Sequence, residues 1–211
     1  MRFLLPRVPC AVVDVGAGTG KLTAVLVGLG CEVVAVEPDP EMRARIAGAE
    51  VRTGTAEELP LAARSVDAIV AGQAAHWFDR PRFLDEAARV LRPGGTVGLL
   101  WNEVDDRVDA GAELARVAHT IGGVYTAVER TPPFEDDRLD SGELAEVPHV
   151  QSLDAVSLGA LVSSFSSTIL LPADQRAALL AEVERWARGR FGSGPVELPY
   201  VARAWRYALR A

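Results

Sequence analysis

Glycine stands at alternate positions 16, 18 and 20 in Asp14-Val-Gly-Ala-Gly-Thr-Gly20. The apolar run Ala11 to Val15 leads into this stretch, and Leu22, Val25, Leu26 and Leu29 follow it at helical spacing. Strand, glycine turn and helix in that order bring backbone N–H groups and a helix N-terminus against a nucleotide-like ligand. Asp14, late in the first strand, can hold the turn's backbone, face a ligand ammonium group, or simply be a satisfied strand-end carboxylate. Glu37 closes a second apolar run about twenty residues beyond the first glycine, the place from which an acid accepts hydrogen bonds from ribose hydroxyls. A solvated strand end is the other reading, and the glycine turn favours ribose. A carboxylate there also repels a phosphorylated ribose.

Ala56 and Glu57, after a third short strand, lie where a base would sit and offer it a backbone N–H and a carboxylate; a helix-capping turn would look the same. Gln73-Ala-Ala-His-Trp-Phe-Asp79 follows a fourth strand. His76 has the intrinsic pKa of a proton acceptor near neutrality, and it could equally orient the loop or hold a substrate. Trp77 and Phe78 read as wall and core before they read as a cation-π cage. His119 and His149 have no partners in sequence and read as structural, and no residues have metal-ligand spacing. The glycine spacing also excludes something. A dinucleotide turn is G-x-G-x-x-G/A, whereas here the third glycine comes one residue early and Lys21 occupies the expected place, which disfavours a nicotinamide oxidoreductase.

These residues need a parallel sheet to hold them. The chain alternates strand and helix: Ala11 to Val15, a helix ending near Gly28-Leu-Gly30, then Cys31 to Glu37. A helix capped by Asp39 and opened by Pro40 runs through Met42 and Ile46 to about Gly48, before a strand from Glu50 to Thr53. Gly54 to Leu61 has turn residues without a helical period. Ser65 to Gly72 reads as a strand, Pro81 to Leu91 as a helix stopping at Pro93-Gly-Gly95, and Thr96 to Trp101 as a strand. Further on, a helix is expected over Asp109 to Gly122, an acidic loop over Arg130 to Gly142, and a strand over Val147 to Leu153. Helices over Leu158 to Phe165 and Ala173 to Arg188 follow, and Val196 to Leu209 is expected to return as an edge strand.

At 211 residues the chain fits one domain with a large core, and its apolar and charged fractions are those of an ordinary globular protein. The net charge of -7 argues against a general nucleic-acid surface or an anionic-membrane binder. No apolar run approaches membrane-spanning length, and Met1 to Arg7 does not read as a signal peptide. The two cysteines, Cys10 and Cys31, start predicted strands, where packing is the expected role, and they suggest a reducing compartment. A cytoplasmic protein, monomer or homodimer, is expected.

Five stretches in order carry a resemblance: Asp14 to Gly20, Val36-Glu-Pro-Asp39, Gly54-Thr-Ala-Glu-Glu-Leu-Pro60, Val66-Asp-Ala68 with His76-Trp-Phe78 beyond it, and Leu91-Arg-Pro-Gly-Gly95. Together they resemble the class I S-adenosylmethionine-dependent methyltransferases, in particular the small-molecule "type 11" branch, over roughly Ala11 to Asn102. The resemblance implies a Rossmann-like, doubly wound α/β fold. Its seven-stranded mixed sheet would have the order 3-2-1-4-5-7-6, with the last strand antiparallel.

The whole chain, 1–211, would then be a single methyltransferase domain. Its cofactor-binding half is 11–102, and 103–211 adds a helical insertion and the C-terminal strands. By the same resemblance S-adenosylmethionine is the cofactor, approached by Gly16, Ala17, Gly18 and Gly20 with Asp14 behind them. Glu37 and Pro38 would meet the ribose, Ala56 and Glu57 the adenine, and Gln73 the methionyl part or the methyl group. His76 is the candidate base and Trp77 a candidate substrate contact, with a small organic molecule as methyl acceptor. Family members carry a helix before the first strand that covers the cofactor; ten residues precede Ala11 here, and weak cofactor affinity is therefore expected. The alternative is a non-catalytic or N-terminally truncated methyltransferase-fold protein that binds cofactor weakly.

Overall fold

A computed structural model describes residues 1–120, 133–163 and 166–210. The far ends of the helices expected over Asp109 to Gly122 and Leu158 to Phe165, and the start of the acidic loop expected from Arg130, lie outside the described residues. The elements in chain order are a short 3-10 turn (Arg2–Leu4), β1 (Ala11–Val15), α1 (Lys21–Gly28), β2 (Glu32–Val36), α2 (Pro40–Arg43) and β3 (Glu50–Arg52). There follow β4 (Val66–Gly72), a second 3-10 turn (Ala75–Trp77), α3 (Arg80–Val90), β5 (Leu91–Val104), α4 (Asp109–Thr120) and β6 (Glu143–Leu153). The last are α5 (Ala155–Ser163), α6 (Ser166–Ile169), α7 (Ala173–Phe191) and β7 (Val196–Ala208).

The strands form one seven-stranded sheet in the order β3-β2-β1-β4-β5-β7-β6, as the resemblance implies. β1 to β5 pair in parallel, with Ala11 opposite Glu32, Val12 opposite Ala68, Val34 opposite Glu50 and Ile69 opposite Val97. β7 runs antiparallel. The amide of Leu209, just past its end, donates to the Gly95 carbonyl near the start of β5, while the Asp105 amide beyond the end of β5 donates to Pro199. β7 is not the edge strand expected of Val196 to Leu209. It lies between β5 and β6, and its alternating Val196, Leu198 and Tyr200, with Trp205 and Tyr207 beyond, are buried. β6 takes the edge.

Other bounds shift: β6 starts at Glu143 and α5 at Ala155, each before its expected start, and β5 runs on to Val104. α2 spans only Pro40–Arg43, because Arg45 and Ile46 donate to Met42 and Arg43, three residues back, and the tightened turn ends at left-handed Gly48. β5 begins at Leu91, earlier than Thr96. Leu91 pairs with Val66, the register slips over Pro93-Gly94-Gly95, and pairing resumes with Thr96 opposite Ala68.

The described residues fall into two compact units. The first, built from 1–101, 133–146 and 203–210, buries apolar side chains on both faces of the sheet. Strand alternation divides them: Val13, Val15, Ile69 and Ala71 pack with Phe83, Ala87 and Val90 of α3. Val12, Ala68 and Val70 pack with Leu26 of α1 and with Leu4 and Leu5. Leu4 is fully buried, its carbonyl accepts from the Thr96 hydroxyl at 3.0 Å, and it leaves no room for a side chain at position 98. The second unit, 102–120 with 147–163 and 166–202, centres on Leu179, Val183 and Ala187, one face of α7 at four-residue spacing. Trp186 of α7 donates its indole N–H to Glu113 of α4 at 3.1 Å. Among the described residues no helix is long and apolar enough to cross a membrane, and no group of three or more metal-ligating side chains exists.

Candidate functional site

The carboxyl ends of β1, β2 and β4 and the segment after β3 carry the residues singled out in the sequence. After Val15 the chain turns through Gly16, Gly18 and Gly20 with φ of 67°, 57° and 83°, left-handed values that glycine adopts without steric cost. The turn is pinned to its neighbour, since the amides of Gly16 and Ala17 both donate to the Val36 carbonyl, at 2.9 and 3.2 Å. Two of the glycines are boxed by protein. A Cβ on Gly16 would stand 2.7 Å from the Ala74 Cβ, and one on Gly20 would stand 3.1 Å from the Ile46 side chain. Gly18 is different: nothing lies within 4 Å of the place its Cβ would take. The middle of the turn therefore presents bare backbone to open space.

Glu37 braces that middle. One carboxylate oxygen accepts the Gly18 amide at 2.8 Å and the other accepts the Asp39 amide at 2.9 Å, and the residue is almost wholly buried. Each oxygen keeps a lone pair for a further donor. Asp14 is held by the first turn of α1, through the hydroxyl and the backbone of Thr23. One of its oxygens accepts the Thr23 hydroxyl at 2.6 Å, and the other, Oδ1, is buried without a hydrogen-bond partner. Burial raises its pKa to about 6 against the opposing pull of Thr23, and the nearby charge of Glu37 adds to the rise. An orphaned carboxylate oxygen in such a place is an acceptor awaiting a donor.

The segment after β3 is shaped by its own small residues and by α3. A Cβ on Gly54 would strike the Pro60 ring at 2.6 Å, Thr55 and Glu58 form an isolated antiparallel bridge, and Ala56 is buried. From α3, Glu86 accepts the Leu59 amide at 2.6 Å. Arg89 donates to the carbonyls of Leu59 and Leu61 at 2.9 and 2.6 Å, and to Glu86 as well. The Arg89 guanidinium holds the Glu86 carboxyl below the usual range. Glu57 reaches the other way and accepts the Asp79 amide at 2.9 Å. Desolvation works against its charge, but that amide bond and its neighbours outweigh it and lower its pKa.

At the end of β4, Gln73 takes a left-handed φ of 57° and its amide donates to the Leu100 carbonyl at 2.8 Å. Such a conformation in a non-glycine residue costs energy and clusters at functional sites. The 3-10 turn that follows sets the ring centroids of His76 and Trp77 5.0 Å apart. His76 is exposed, and partial desolvation lowers its pKa from the ordinary histidine value. Trp77 is 72% exposed and so is not core, whereas Phe78 packs on Phe83 with centroids 5.0 Å apart. Asp79 caps α3, its carboxylate accepting the Arg82 amide.

The structure thus brings Gly18 to Glu37, Gly16 to Ala74, and Glu57 to the Gln73–Asp79 turn. Pro38 contributes a carbonyl to the guanidinium of Arg43. Thr23, Arg43, Glu86 and Arg89 are the supporting residues that sequence reasoning missed. Only the three-residue spacing of Glu86 and Arg89 on one helix hinted at a pair, and nothing hinted at what it holds.

Comparison with known proteins agrees with this geometry. Residues 13–99 match the family described as "Methyltransferase domain". An uncharacterized methyltransferase of Mycobacterium tuberculosis is 40% identical over 215 residues, covering 98% of this chain and 86% of that protein. An uncharacterized methyltransferase-like protein of Schizosaccharomyces pombe is 29% identical over 188 residues, covering 84% of this chain and 72% of its own. Among solved structures, one provisionally described as a type II methyltransferase from Anaeromyxobacter dehalogenans superposes with a TM-score of 0.63 at 24% identity. That match covers 99% of this chain and 92% of the other, and it shows a shared fold.

Proposed function

From the premise that this chain belongs to the class I S-adenosylmethionine-dependent methyltransferases, we propose that it transfers the methyl group of S-adenosylmethionine to a small organic acceptor. One observation carries the cofactor assignment: the open face of Gly18 lies beside Glu37, with the unpartnered Oδ1 of Asp14 in the strand below. These features fit the group. Gly18 leaves space for it, Glu37 retains acceptor capacity for ribose hydroxyls, and Asp14 can accept from an ammonium. Gly16, Ala17 and Gly20 shape the turn around it. Pro38 extends the ribose edge, Ala56 and Glu57 supply the adenine side, and Gln73 faces the methionyl part.

The sulfonium cofactor supplies an activated methyl group and a neutral leaving group, so the protein's task is alignment more than acid catalysis. The Gln73–Asp79 turn is placed for the acceptor, with exposed Trp77 as a contact surface. His76 takes a proton where the acceptor must lose one; its neutral ring can do so at the pH of the cytoplasm, where we place the enzyme as a monomer or homodimer. The net charge of -7 favours a small acceptor over nucleic acid.

Thermal unfolding with S-adenosylmethionine, S-adenosylhomocysteine and NAD tests the reading. Stabilisation by the first two alone is expected. Silence from all three would favour the second reading, a methyltransferase-fold protein without catalysis.

A further inference from the structure

The mechanism leaves two buried thiols unused. Cys10 and Cys31 stand immediately before β1 and β2, 6% and 8% exposed, and their sulfurs are 3.9 Å apart. They are neighbours across the ladder: the Glu32 amide donates to the Cys10 carbonyl at 3.0 Å, and pairing continues with Ala11 opposite Glu32. The chain between them, residues 11–30, is β1, the whole glycine turn and α1. Both thiols lie at the amino ends of their strands, and the site described above lies at the carboxyl ends.

We propose that Cys10 and Cys31 are an oxidisable pair that closes a reversible disulfide across the starts of β1 and β2. The two thiols give up two protons and two electrons as one S–S bond forms. The oxidant is a low-molecular-weight disulfide, reduced to two thiols. It acts by attack of one cysteine thiolate to give a mixed disulfide, which the second cysteine displaces. A rotation of the side chains brings sulfurs already in contact to bonding distance, because strand ends outside the regular ladder can yield slightly. Burial, with the neighbouring Cys31 and Asp67, pushes the Cys10 thiol up to about 12, so the reaction is slow in the folded protein and follows local opening of the strand starts. The bond encloses the cofactor turn in a covalent loop and restricts the unfolded chain. It therefore acts on the endurance of the fold and leaves the methyl-transfer residues untouched.

The test is exposure of the folded, full-length protein to glutathione disulfide for hours, then quenching with iodoacetamide and intact-mass measurement. Loss of two hydrogen masses is expected. A non-reducing tryptic digest should join the peptides Val8–Lys21 and Leu22–Arg43, and dithiothreitol should separate them. The oxidised protein should melt higher than the reduced one by roughly 5 °C or more. Cys10→Ser and Cys31→Ser, each checked for native circular dichroism, should show neither the mass loss nor the oxidation-dependent rise. Disulfide-linked dimers, glutathione adducts that never resolve, or thiols that stay fully alkylatable after unfolding would each overturn the proposal.

Discussion

Glu37 accepts the amide of Gly18 at 2.8 Å, so the carboxylate offered to the ligand is also the brace of the glycine turn. Its second oxygen, on the Asp39 amide, ties the same side chain to the start of α2. Replacing Glu37 therefore has two effects. Glu37→Ala should cost about 1–3 kcal/mol of stability through two orphaned amides, and it should abolish stabilisation by S-adenosylhomocysteine. Glu37→Gln, which keeps one acceptor oxygen, should fall between. Thermal melts with and without ligand check both, and an unchanged ligand shift in Glu37→Ala would remove Glu37 from the ribose site.

The glycines of the turn should respond differently to the same added methyl group. Gly18→Ala meets open space and bears only the strain of a left-handed alanine, about 1 kcal/mol, so the fold should persist while ligand binding is lost. Gly16→Ala drives its Cβ into Ala74 and should lower the melting temperature well beyond that of Gly18→Ala. Equal melting temperatures for the two variants would show that Ala74 yields.

Asp14 sets a pH dependence. Its pKa rises from 3.8 to about 6 on folding, so between those values the folded chain binds more protons than the unfolded one. Stability from this group is fully present below pH 4 and is lost as pH rises through 6. Asp14→Asn removes that dependence. The difference in unfolding free energy between variant and wild type, from urea titrations, should change by about 2 kcal/mol in the variant's favour between pH 4 and pH 7. A constant difference across that range would show that Asp14 titrates normally.

Arg89 works at a distance from any ligand. Arg89→Ala removes its bonds to the carbonyls of Leu59 and Leu61 and loosens the segment that carries Ala56 and Glu57. A stability loss of about 1–2 kcal/mol is expected, with a roughly tenfold weaker S-adenosylhomocysteine affinity by calorimetry. Full affinity in a destabilised variant would confine Arg89 to holding the fold.

Much of the first hundred residues could be read from the sequence because glycine and apolar alternation are local signals. Gly16, Gly18 and Gly20 announce the turn, Asp39-Pro40 the helix start, and Val12 and Val13 the two buried faces of β1. The position of β7 was hidden, because alternation in Val196, Leu198 and Tyr200 tells which residues are buried and not which strands flank them. The supports of the site were hidden for another reason. The bonds from Glu86 and Arg89 to Leu59 and Leu61 span 27 to 30 residues, and polar side chains on a helix surface carry no periodic mark of what they reach. That Asp14 serves Thr23 and leaves an oxygen unpaired depends on the closing of α1 against β1.

Among the described residues, the bonds named above for the cofactor turn and its adenine side join residues from Asp14 to Arg89. Thr23 binds Asp14, Gly16 and Ala17 bind Val36, Gly18 binds Glu37, Asp79 binds Glu57, and Arg89 binds Leu59 and Leu61. Inheritance thus meets the cradle as one contiguous piece of chain: a recombination that carries Asp14 to Arg89 together carries these bonds with it, whatever sequence it is joined to.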